Sequence, residues 1–176
     1  GKAGGIAEAT AAWSGTVWRG EKGANAHLGI TGKLAADNMD GSLPARTAKQ
    51  SGEGALTLRS GAWLVRGRYT LAHEGSDEDP PARDTTTRVA SLEASAPLKL
   101  GAAVLDTGLR GSRSATRNEV SGSTDVLDTI ALTGRTLIGQ MSLAANVGWS
   151  QSAKSAGDRK RDLELTLSVS RPVIDK

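Results

Sequence analysis

Six charged residues sit inside otherwise alternating stretches of this 176-residue chain: Arg59, Arg66, Arg68, Glu93, Arg135 and Glu164. Two kinds of chemistry follow from charges placed within strands rather than in turns. Gathered arginines in a low-dielectric wall focus a field that selects anionic solutes or polymers. Set against Glu93 and Glu164, the same arginines instead form an internal ion-pair network that holds the register of the strands. The two histidines offer less. His73 lies close in sequence to Ser76 and Asp77, residue types a hydrolase uses, while His27 falls at the opposite end of the fold and shares no ligand spacing with it. The run Ser76-Asp77-Glu78-Asp79 offers oxygen ligands for Ca²⁺ or Mg²⁺ or a cation bridge to lipid phosphates, but without the spaced ligands and glycine of an EF-hand loop. Lys154 and Arg159-Lys160-Arg161, with Asp158 opposing them, suit anionic headgroups or a polyanion. For each of these loop groups a solvated loop is the plainer reading. No P-loop, dinucleotide fingerprint, nucleophile elbow or pair of catalytic carboxylates is present. The expectation is a protein that is not an enzyme, with no catalytic residue, cofactor or metal.

The elements that carry these charges are β-strands. In Asp162–Val173 the residues Leu163, Leu165, Leu167 and Val169 fall on every second position, against Asp162, Glu164, Thr166 and Ser168. A period of two gives a strand one dry face and one wet face. The pattern recurs. Trp63, Val65, Tyr69 and Leu71 oppose Arg66, Arg68 and Thr70; Ala90, Leu92, Ala94, Ala96 and Leu98 oppose Ser91, Glu93 and Ser95. Ala103, Leu105, Thr107 and Leu109 share a side, Ile130 and Leu132 oppose Thr129, Thr133 and Arg135, and Met141, Leu143, Ala145, Val147 and Trp149 oppose Ser142, Asn146 and Ser150. Upstream, Leu28, Ile30 and Leu34 mark a weaker first hairpin.

Tight turns are expected near residues 20–25, 60–62, 97–100 and 138–140, and long polar loops over 37–53, 74–87, 111–125 and 151–162. The reading is one domain over residues 1–176, with a weaker hairpin region in 1–54 and clear alternating strands in 55–173. It is an all-β, antiparallel up-and-down meander of about nine strands, each near ten residues long. Twenty-two glycines suit a sheet with many turns; the absence of cysteine excludes disulfides and thiolate metal sites. The net charge of +3 is balanced and scattered, which excludes nucleic acid as a partner. No apolar run is long enough for a membrane helix, but a barrel strand needs only about 9–11 alternating residues.

Long loops at one end, tight turns at the other and one apolar face resemble the outer-membrane β-barrels of Gram-negative bacteria. In that family the short turns are periplasmic and the long loops extracellular. The resemblance implies a transmembrane β-barrel, or part of one, in the bacterial outer membrane, acting as a pore, export conduit or membrane anchor of a larger assembly. Arg59, Arg66, Arg68, Glu93, Arg135 and Glu164 would then be lumen charges. Counted from the short turns, Arg59, Arg66, Arg68 and Arg135 fall in the nearer half with Arg171, Glu93 at comparable depth four residues before its turn, and Glu164 farther up. Trp18 and Trp63 by short turns and Trp149 by a long loop would be interfacial aromatics. Partners would be outer-membrane lipid, other chains that complete or dock to the barrel, and an anionic solute or polymer. The chain departs from the family in its 3% aromatic content and in ending VIDK without a terminal aromatic residue. These departures leave three readings, a fragment of a larger barrel, a barrel built by several chains, or a soluble protein, and an odd strand count favours the first two. The alternative is a soluble antiparallel β-sandwich or barrel binding carbohydrate or protein, which calls for exposed aromatic platforms that this sequence has almost none of.

Overall fold

The structure, a computed structural model, describes residues 5–37, 46–77, 81, 83–101, 103–138, 141–155 and 157–170. It contains nine strands in chain order: β1 (Ala7–Arg19), β2 (Asn25–Ala36), β3 (Thr47–Ser60), β4 (Trp63–Ser76), β5 (Asp84–Leu100), β6 (Ala103–Asn118), β7 (Ser123–Ile138), β8 (Met141–Lys154) and β9 (Arg159–Ser170). Each pairs antiparallel with its neighbours in sequence, in a single sheet ordered β1 to β9. Among the described residues β1 and β9 pair with each other through no ladder, so the sheet is open.

Period two dictates the two faces. Directly paired residues share a face, so one cross-strand row reads Leu109, Leu132, Val147 and Leu165 across β6 to β9. The row beside it reads Gly108, Thr133, Asn146 and Thr166. Among the described residues nothing covers the apolar face, and the only buried hydrophobic residues are Ala26 and Ala96, whereas Leu163 is 76% and Leu167 71% exposed. A soluble sandwich would lay a second sheet over these side chains, and among the described residues there is none.

The strands are longer than the expected ten residues, from 12 in β2 and β9 to 17 in β5. Much of what reads as loop is strand. Glu74–Ser76 and Asp84–Thr87 belong to β4 and β5, Gly111–Asn118 to β6 and Gln151–Lys154 to β8. Where both faces are wet the apolar alternation stops, yet the ladder continues on threonine and serine. The Thr87 and Thr116 hydroxyls lie 3.3 Å apart and those of Ser112 and Thr129 2.7 Å apart. The contrast between ends narrows as a result. Residues 20–24, 61–62, 101–102 and 139–140 join strands at one end and 37–46, 77–83, 119–122 and 155–158 at the other, the last two being four residues each where long loops were expected over 111–125 and 151–162. The turn expected at Pro97–Leu100 is displaced, since β5 runs through Leu100 and turns at Gly101, whose φ is +63°. Pro97 fits inside the strand because β5 pairs with β4 only as far as Ser95, leaving a locally free edge that tolerates a missing N–H. The turn at 139–140 and residues 171–173 of the expected last strand lie outside the described residues.

Candidate functional site

The polar face gathers most of the charge. Register places Arg59 opposite Leu64, Arg66 opposite Glu93, Arg68 opposite Ser91, Arg135 opposite Asp106 and Glu164 opposite Gly148, all on this face. Two of the arginines are held by carboxylates. Arg66 Nη1 lies 3.7 Å from Glu93 Oε2, and Arg68 Nε 3.3 Å from Glu53 Oε1. A third arginine, Arg110, closes on Glu93 Oε1 from β6. Arg66, Glu93 and Arg110 therefore form one row across β4, β5 and β6, two cations around one anion. These side chains remain one-third to two-thirds exposed, so the row is solvated and its ion pairs are worth little individually.

The remaining members stand apart. Arg135, three strands from Arg66, donates from Nε to Ser142 Oγ at 3.3 Å. The Thr166 hydroxyl donates to Glu164 Oε1 at 3.3 Å. Glu93 lies directly opposite Arg66, at the depth expected, but β5 continues to Leu100 and Glu93 sits eight residues before the turn at Gly101, not four. Glu164 shares the hydrogen-bonded row of Arg66, Glu93 and Arg110 through Ala131 and Gly148. Arg171 lies outside the described residues. Arg110 and Glu53 were absent from the sequence reading. Arg110 follows the outward Leu109 and was accessible from alternation alone.

All three tryptophans named above lie on the apolar face. Trp63 opens β4 directly after the turn, and Trp149 pairs with Ile130 and Leu163. Trp18 reaches this face through a bulge between Thr16 and Trp18, which brings it opposite Ala26. A Cβ on Gly20 would meet the Trp18 ring at 2.4 Å, so the ring covers that glycine. Across β5 to β9 the apolar rows end at Leu92, Gly111, Ile130, Trp149 and Leu163. From Met141 to Trp149, a span of nine residues, all five outward residues of β8 are apolar, the length a tilted membrane strand needs.

Among the described residues the loop groups stand apart from one another. His73 and Ser76 point to opposite faces of β4; His73 Nδ1 instead lies 3.2 Å from Thr86 Oγ1 and 3.7 Å from Asp84 Oδ1. Asp77 Oδ1 accepts from the Arg46 backbone N–H at 2.6 Å, and Glu78 and Asp79 lie outside the described residues. Among the described residues no three His, Asp or Glu side chains group to hold a metal. His27 faces Thr57 on the polar face. Glu74, beyond the last apolar residue of β4, takes a hydrogen bond from Arg83 at 2.6 Å and lies 3.4 Å from Lys49. The Arg83 hydrogen bond holds its carboxyl below the usual carboxylate range.

No protein-family model matches the chain, and the curated proteins give no match. Solved structures do. The ferric citrate transporter FecA matches over 97% of this chain and 34% of its own, with a TM-score of 0.57 and 10% identity. This is an outer-membrane β-barrel fold. The barrel OmpT, an outer membrane protein of Vibrio cholerae, matches over 97% of this chain and 84% of its own (TM-score 0.53, 10% identity). The siderophore receptor PiuA from Acinetobacter baumannii matches over 93% and 39% (TM-score 0.53, 9% identity). The chain thus spans about a third of the two receptor-sized barrels and most of OmpT. At such identities the likeness is one of barrel fold.

Proposed function

We propose that residues 1–176 form one β-domain, the wall of a barrel in a bacterial outer membrane, with a charged, water-filled lumen that passes solutes. The observation that carries this is the uncovered apolar face set back to back with a charged one. Hydrocarbon is the one solvent in which such a face is at its most stable, provided every backbone group is paired. On this reading Trp18, Trp63 and Trp149 anchor the wall at its two interfaces, and Arg59, Arg66, Arg68, Glu93, Arg135 and Glu164 line the interior. Pairing β9 directly to β1 would make a parallel junction, since odd-numbered strands run the same way. Further strands, from this protein or another chain, complete an antiparallel barrel. At eight to ten strands side chains fill the interior, whereas a barrel completed well beyond that leaves a passage for anionic solutes or polymers in place of a packed anchor.

A second reading has its own support in the Arg66–Glu93–Arg110 row, which braces three strands and suits a packed membrane anchor. Planar-bilayer recording separates the two. Stepwise conductance from protein that migrates heat-modifiably on denaturing gels is the expected result. A sealed bilayer containing such folded protein rejects the pore and leaves the anchor. Protein that stays monodisperse without detergent rejects the membrane assignment altogether.

A further inference from the structure

The apolar face changes character sharply toward its long-loop end. Directly above the row Gly111–Ile130–Trp149–Leu163, the next outward row reads Arg113, Asp128, Gln151 and Arg161. The row above that reads Arg88, Ala115, Val126, Ala153 and Arg159, apolar in the middle and basic at both ends, and Arg117 lies outward one step higher on β6. The basic run Arg159-Lys160-Arg161 is split by the pleat, with Lys160 on the polar face 3.3 Å from Asp162. Five arginines thus crown one end of the outward face, against Asp84 and Asp128 on its strands. At the opposite end the same face reaches its turns on Leu98, Leu100, Ile138 and Met141, without charge.

Existing contacts leave these guanidiniums accessible. Arg113 lies 3.7 Å from Asp128 and stays 67% exposed. Arg161 donates to Gln151 Oε1 at 3.0 Å and Arg117 to Glu119 at 2.8 Å. Successive outward rows are about 7 Å apart along a strand, so Arg113 and Arg161 sit at the first level above hydrocarbon, where lipid phosphates lie. The guanidinium fork matches a phosphate's oxygens in bidentate geometry.

We propose that this arginine crown is a binding site for anionic phosphate headgroups, which carry the net negative charge that phosphatidic acid has and zwitterionic phosphatidylcholine lacks, in the leaflet on the long-loop side. The proposal rests on the membrane reading above and adds the lipid class to it. The occupant is a membrane-anchored phosphate, because the site is continuous with the apolar rows that would hold the acyl chains.

The test uses the protein reconstituted in phosphatidylcholine vesicles doped with spin-labelled phosphatidic acid or spin-labelled phosphatidylcholine, read as the motionally restricted lipid fraction. The expected result is a preference for phosphatidic acid that weakens with added salt. It should fall about fivefold for each arginine removed in Arg113→Gln and Arg161→Gln, and persist in Lys160→Gln at the same height on the other face. Equal restriction of both lipids in the unaltered protein overturns the crown, as does a preference unmoved by Arg113→Gln with Arg161→Gln or lost equally in Lys160→Gln. Loss of the preference to inorganic phosphate at matched ionic strength assigns the site to free phosphate and overturns the lipid commitment. Should the double variant fold poorly, the salt dependence of the unaltered protein carries the test. No restricted lipid of either kind, by contrast, defeats the membrane reading itself.

Discussion

Replacing Leu132 with arginine is expected to destabilise the fold in lipid strongly, while Thr133→Arg, one residue on, leaves its stability nearly unchanged. Leu132 is 54% exposed in a row with Leu109, Val147 and Leu165. If that exposure were to water, an arginine there would be harmless or even solubilising. Facing hydrocarbon, an arginine costs about 2–4 kcal/mol near the bilayer midplane, less toward the interfaces. Against a stability of roughly 5–15 kcal/mol for an ordinary domain, that is a large share. Thr133 lies in the polar row beside Gly108 and Asn146, and its hydroxyl donates to the Gly108 carbonyl at 3.3 Å. Losing that bond costs about 1 kcal/mol. The fraction of heat-modifiable protein against urea in lipid vesicles reads both. Equal behaviour of the two variants would remove the distinction between the faces.

The second large effect concerns ion preference. The row Arg66–Glu93–Arg110 carries two arginines against one glutamate, a local charge of +1. Arg66→Glu turns it to −1, and Glu93→Gln raises it to +2. Opposite charges near a wall of low dielectric interact over about 4 Å by 1 kcal/mol in water and several times that at lower effective dielectric. The anion-to-cation permeability ratio should therefore move several-fold in opposite directions, down for Arg66→Glu and up for Glu93→Gln. Reversal potentials under a salt gradient measure it. An unchanged ratio in both variants would retire this row as a selectivity element and leave it as bracing. Stability should change little in either, since all three side chains are substantially exposed.

The strands of this sheet are legible in the sequence wherever the two faces meet different solvents. Leu163, Leu165, Leu167 and Val169 declare β9 because an apolar surround selects one residue class at every second position. Beyond the apolar rows that pressure disappears. Thr85–Thr87 and Ser112–Thr116 look like loop in composition while their ladders run on unbroken. Pro97 was a misleading turn signal, tolerated by the stagger between β4 and β5. The candidate site was half visible. Glu53 escaped notice because its flanking outward positions are Gly52 and Gly54, which have no side chain to display the period. The bulge that swings Trp18 onto the apolar face is likewise silent in the sequence, since it adds one residue to the strand without changing its chemistry.

In the proposed barrel wall the apolar face meets lipid and the charged face meets water. The chain has no cysteine, so single-cysteine nitroxide labels can be walked along Met141–Ser150 of β8 in reconstituted vesicles. Collision rates with dissolved oxygen and with a water-soluble nickel chelate should alternate with a period of two. Oxygen should dominate at Leu143, Ala145 and Val147, and nickel at Ser142, Ala144 and Asn146. Nickel accessibility that is high at both sets of positions would contradict the account.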